Sequence, residues 1–198
     1  MLANTLAEYF TKGGPIMYPI ALVAIIMLAV VAERGIFWFL LGRRRDSAQL
    51  ESTLGAMENS DFKGAVAQTR QSQDPVVRMI YHGLTHVHGS LQGALQVAAG
   101  MEIKRAGRFM VLIDTCITLA PLLGLLGTVT GIMGSFQKMG ESSIAGAMTE
   151  IQGGIGEALI ATAAGLGIAI IGVFFLNIYN EMMEKLKFDL ETAATNVE

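Results

Sequence analysis

The chain has 198 residues, of which 52 % are hydrophobic and only 16 % charged, and its mean hydropathy is +0.49. A soluble domain carries about 25 % charged residues, so the composition argues against a soluble protein and for an integral membrane one. A net charge of −3 offers no global basic field for nucleic acid, and a single cysteine, Cys116, excludes an intramolecular disulfide and reads as a small packing residue.

In chain order, residues 1–14 carry Glu8 and Lys12 and no basic cluster ahead of an apolar run, unlike a cleavable targeting segment. Leu2, Leu6, Tyr9 and Phe10 share one helical face, which predicts a short interfacial helix on the outer side, ended by Gly13-Gly14-Pro15. Residues 15–41 form a first apolar run, longer than the roughly 20 residues a crossing needs. Its later third holds Glu33 and Arg34, placed near the polar boundary where Arg34 can snorkel. Phe37 and Trp38 suit an interfacial belt.

Residues 42–108 read as a helical polar segment. Asp46, Asp61 and Ser90 stand at N-cap positions, and Asp74-Pro75 pairs an N-cap with proline at the first helical position. Between Leu91 and Ala120 there are only isolated glycines, which predicts one rod running into the second span, residues 109–133. A loop over 134–154 leads to a third span, 155–178. A helical tail over 179–198 begins with the amphipathic stretch Asn180–Leu190. The expected fold class is an all-α integral membrane protein, with three spans and long helices two and three reaching beyond the membrane.

Arg43, Arg44, Arg45, Lys104, Arg105, Arg108, Lys185 and Lys187 flank one side of these spans, and Lys12 and Lys138 the other. The positive-inside rule then places 42–108 and the C-terminus in the cytoplasm, with the N-terminus and the 134–154 loop outside.

Glu157 stands at the outer end of span three. An acid inside a membrane helix is costly and is a functional candidate by default, and a carboxyl that exchanges protons there serves a proton pathway. It can equally be a carboxylate favoured by a helix N-terminus and wetted by the interface. Thr162 lies five residues further along, and antiparallel packing of spans two and three brings Thr128 to a similar depth. The hydroxyls of Thr128, Thr130 and Thr162 either support a water chain or bond back to their own helices.

Gly124, Gly127, Gly131 and Gly134 recur along one face of span two, and Ala161, Gly165 and Ala169 along span three. Such ladders mean close helix packing, and they can also form a smooth pore wall. Pro121 removes one backbone hydrogen bond and can bend span two. Asp114 is a second candidate intramembrane acid, paired with Arg105 or Arg108 or with a partner chain's base, or solvated at the boundary. His82 and His86 are one turn apart and His88 is close by, but no cysteine or paired acid completes a metal set. No phosphate loop and no nucleophile–base arrangement is present. The expectation is therefore a protein without a metal or cofactor and not an enzyme.

Leu119–Phe136 and Gly153–Gly167 closely resemble the signature segments of the ExbB/TolQ branch of the MotA/TolQ/ExbB proton-channel family. The family's threonine in its Gly-Thr-Val stretch falls on Thr128. Its glutamate and second threonine in Gly-x-x-Glu-Ala-Leu-x-Ala-Thr fall on Glu157 and Thr162. The resemblance implies a homopentamer in the inner membrane of Gram-negative bacteria, surrounded by membrane lipids. In it spans two and three line a central pore. The pore holds a dimer of single-span ExbD- or TolR-like partners, each with a membrane aspartate. Proton motive force then drives work on the envelope through TonB- or TolA-like proteins, for example in TonB-dependent transport. A Tol-type constriction or gliding motor, a sodium-driven variant and a passive scaffold are the alternatives. The four-span flagellar stators share the core, whereas this chain has three spans.

Overall fold

The computed structural model describes residues 10–59, 61–86, 90–139 and 144–196. Among the described residues the helices are α1 (Met17–Arg43), α2 (Ser47–Glu58), α3 (Phe62–Thr69), α4 (Pro75–Thr85), α5 (Leu91–Ala106), α6 (Met110–Met139) and α7 (Ile144–Asn196). The described residues contain no strand. Three helices, α1, α6 and α7, are long and apolar enough to cross a membrane, with candidate spans Met17–Arg43, Met110–Gln137 and Gln152–Thr195. Only 28 %, 28 % and 22 % of their most apolar stretches is buried inside the chain. Side chains such as Ile25, Val111, Leu122, Leu159 and Ile170 therefore face outward, as a lipid-facing surface requires. The chain is an all-α integral membrane protein with three spans.

The chain divides into two compact units, Met1–Ala32 with Met110–Leu176, and Glu33–Phe109 with Asn177–Glu198. In the first unit the seam between α6 and α7 is built from small residues. A Cβ on Gly124 would stand 2.9 Å from the Thr162 Cα, and one on Gly131 would stand 3.1 Å from both the Ala158 Cβ and the Gly154 carbonyl oxygen. A Cβ on Gly165 would overlap the Ala120 carbonyl. Lipid tails are as apolar as leucine, so this shape fit, rather than escape from water, holds the helices together. The start of α1 completes the unit: Met17, Ile20 and Ala161 form a buried cluster, with Phe10, Ile16, Leu123, Ala164 and Ile168 packed around them.

The second unit is capped as its sequence dictates. Asp46 accepts from the Gln49 N–H at 2.9 Å, Asp61 from Gly64 at 2.9 Å, and Ser90 from Gly93 at 3.1 Å. Asp74 accepts from Val76 at 2.8 Å, with Pro75 at the first position of α4. Asp74 is also buried, and its second oxygen takes the Asp46 N–H at 3.0 Å, which ties the start of α2 to the start of α4. Val76, Val77, Met79 and Ile80 of α4 and Leu95 and Ala98 of α5 are all buried. Each large apolar side chain withdrawn from water is worth about 1.5–3 kcal/mol. Arg78 forks onto Glu102 across α4 and α5, with Nε 3.1 Å from Oε1.

Three expectations are corrected. The rod predicted from Leu91 into the second span is broken at residues 107–109. Gly107 caps α5, its N–H bonding the Ile103 carbonyl at 2.8 Å, and Phe109 takes a left-handed φ of 65°. Arg34 does not snorkel. It is buried at 2 % exposure, ion-paired with Glu33, and donates from Nη1 to the Ala106 carbonyl at 3.2 Å, where the break leaves that acceptor free. The segment 134–154, expected as a loop, is helical through Met139 and again from Ile144; 140–143 lie outside the described residues. Alanine, methionine and glutamate in 145–150 favour helix. The predicted N-terminal helix is seen only at residues 10–12, since Leu2, Leu6 and Tyr9 lie outside the described residues.

Candidate functional site

Glu157 stands on α7 in the first unit, half-buried. Its carboxyl forms no hydrogen bond or ion pair among the described residues. It lines a cavity of about 330 Å³ together with Gly13, Pro15, Ile16, Gly127, Thr130 and Gly131. Three pieces of chain build that cavity. The Gly127–Gly131 stretch of α6 gives one wall, where the absence of side chains at Gly127 and Gly131 leaves room. The Glu157 turn of α7 gives the second. The bend ahead of α1 gives the third, closed by hydrogen bonds from the Met17 N–H to Gly14 at 3.1 Å and from Tyr18 to Pro15 at 3.3 Å.

The threonines part company. Thr162 donates across the seam to the Gly124 carbonyl at 2.8 Å. Thr128 donates to Leu125 at 2.6 Å and Thr130 to Leu126 at 2.9 Å, both within α6. Thr130 shares the cavity with Glu157, while Thr128, half-buried, is not among its lining residues. Gly124, Gly127, Ala161 and Gly165 are buried and Gly131 is partly buried, all packed within this chain. A Cβ on Gly134 would meet nothing within 4 Å, so that glycine stands apart from the seam.

Asp114 is exposed on α6, where its carbonyl accepts the Thr118 hydroxyl at 3.1 Å. Cys116 is buried. In the second unit, the His82 and His86 rings are 6.0 Å apart, and Arg108 lies over the Phe109 ring at 4.5 Å. No cluster of three metal-ligating side chains occurs among the described residues, and His88 is outside them.

Two residues at the site were not singled out from sequence. Ser135 is buried and donates to the Gly131 carbonyl at 2.9 Å. Gly14 lies directly against the Glu157 carboxyl. The Gly-Gly-Pro sequence signals a turn, but nothing in it says which distant side chain the turn meets.

Residues 71–192 match the family described as the MotA/TolQ/ExbB proton channel family. The chain is 33 % identical over 176 residues to a putative biopolymer transport protein, ExbB-like 3, of Synechocystis sp., covering 86 % of this chain and 82 % of the relative. It is 33 % identical over 175 residues to a putative biopolymer transport protein ExbB homolog of Methanothermobacter thermautotrophicus, covering 85 % of this chain and 60 % of that one. It is 40 % identical over 98 residues to the biopolymer transport protein ExbB of Xanthomonas campestris pv. campestris, covering 48 % and 38 %. A three-span helical membrane protein with these likenesses belongs to the MotA/TolQ/ExbB proton channel family.

Proposed function

We propose that this chain is the channel subunit of an ExbB/TolQ-like motor that converts proton motive force into mechanical work on the cell envelope, with Glu157 as its proton-exchanging group. The observation that carries the reading is the Glu157 carboxyl, unpaired among the described residues and open to a cavity whose other polar side chain is Thr130. On this reading Thr128 and Thr162 belong to the same proton pathway as Glu157, and Asp114 and Thr130 are secondary polar groups.

The working unit is a homopentamer in the inner membrane, with the N-terminus periplasmic and the C-terminus cytoplasmic. It encloses a dimer of single-span ExbD- or TolR-like chains whose membrane aspartates complete the path, and it passes work to a TonB- or TolA-like protein. The ion is H+, and the chain acts as a channel rather than an enzyme. One elementary charge crossing 100 mV releases about 2.3 kcal/mol, so a few protons per step are enough to bias a rigid-body motion of packed helices.

The test is Glu157→Gln in the chain's own host, with membrane level and multimer size measured beside envelope output. Loss of output with intact assembly is expected. An unchanged output points to a passive scaffold. Collapsing the sodium and proton gradients separately distinguishes the ion, and native mass spectrometry checks for five copies with two of a single-span partner.

A further inference from the structure

We infer that Gly14 is a positioning residue for Glu157: the turn ahead of α1 is the surface on which that carboxyl rests, and its fit requires a residue with no side chain. Two independent features of the chain converge there. The Gly14 backbone has a φ of +71°, a conformation open to glycine and strained for other residues. A Cβ on Gly14 would also overlap the Glu157 Oε1, and would stand 2.6 Å from Cδ and 3.1 Å from Cγ. All three nearest atoms belong to one side chain, 143 positions away in the chain.

The turn itself has little freedom to retreat. A Cβ on Gly13 would lie 2.6 Å from the Met17 Cγ and 3.2 Å from the Ile160 Cγ2, so the turn is seated on α7 one helical turn from Glu157. Ile16 is wedged against Gly127, its Cγ2 2.8 Å from a Cβ built there. Pro15, with a fixed φ, follows directly. The turn is thus pinned to both α6 and α7, and its bare Cα sets where the carboxyl can point. Of the three walls of the cavity, this one selects the side-chain rotamer. On the reading given above, a proton-exchanging carboxyl must meet its partner in one geometry, and Gly14 supplies that restraint.

The experiment uses the full chain in host membranes with its natural partners. An apolar carbodiimide at fixed pH labels Glu157, and peptide mass spectrometry gives the rate. Gly14→Ala is expected to change that rate by about threefold or more, in the range of coupling for residues in contact. Thermal stability is measured in parallel for Gly14→Ala, Glu157→Ala and the double variant. Gly14→Ala should destabilise the native background more than the Glu157→Ala background, because removing the carboxyl leaves only the backbone strain. If Gly14→Ala fails to accumulate, Glu157→Ala or Glu157→Asp in the same chain should restore it. An unchanged labelling rate overturns the inference, as does strict additivity in the cycle or a failure to restore accumulation. None of these readouts involves envelope output, so a silent Glu157→Gln sinks the motor reading while leaving the positioning role standing.

Discussion

The Thr162 hydroxyl reaches across the α6–α7 seam to the Gly124 carbonyl at 2.8 Å. That carbonyl is reachable because Gly124 has no side chain and lets α7 approach: a Cβ there would stand 2.9 Å from the Thr162 Cα. Interhelical hydrogen bonds in membranes average about 0.6 kcal/mol and reach about 1.7 kcal/mol. Thr162→Val is therefore expected to lower stability by about that much in lipid nanodiscs, and Thr162→Ser to keep most of it. Thr128→Val, whose hydroxyl bonds within its own helix, should leave the melting temperature where it was. Equal losses at Thr162 and Thr128 would refute the assignment.

Ala161 and Gly165 are buried in the α6–α7 seam, Gly165 against the Ala120 carbonyl. Backbone atoms cannot swing aside as a flexible side chain can, so Gly165→Leu should cost more than the usual 1–3 kcal/mol, roughly, of an overpacked core. The expected result by size-exclusion chromatography is loss of the folded, detergent-extractable protein. Gly134→Ala, with open space around it, should be recovered at native levels.

Arg34 fills the acceptor that the break after α5 leaves on Ala106. Arg34→Ala strips that carbonyl of its partner and should cost about 1–3 kcal/mol, the penalty for an unsatisfied buried polar group. Faster amide hydrogen exchange around residues 105–110 is the expected local signature. Arg34→Lys should restore little, because a single ammonium lacks the planar fork that serves Glu33 and Ala106 together.

Asp74 takes N–H groups from Val76 and Val77 of α4 and from Asp46 ahead of α2. Asp74→Ala should therefore exceed an ordinary cap loss, about 1 kcal/mol and up to about 2 kcal/mol. Limited proteolysis between residues 42 and 75 should speed up, and Asp74→Asn should recover part of the protection. A variant as resistant as the native chain would count against the cap's role.

How far the chain could be read depended on how local each feature is. Asp46, Asp61, Asp74 and Ser90 were legible as caps because the bond they make spans two or three residues. The break at 107–109 was missed because Gly107 resembles the isolated glycines before it, and the fate of Arg34 depends on Ala106, 72 positions away. At the site, Glu157 was conspicuous as an acid in an apolar run. Its neighbour Gly14 was invisible, since a turn sequence does not name what packs on it. The glycine recurrence points to close packing, but only the structure separates Gly124, Gly127 and Gly131 from Gly134.

The sequence by itself determined that this is an all-α membrane protein with three spans and where its polar helices begin. Apolar run length and capping residues act through near neighbours and through lipid, which has no other way to satisfy a backbone. Tertiary structure alone decided which threonine crosses the seam, which small residues carry it, and that a turn ahead of α1 meets the carboxyl of α7. Those are contacts between segments more than a hundred residues apart or on facing helices. Whether a side chain fits there is fixed by the few tenths of an ångström at which two backbones pass, a quantity no local pattern encodes.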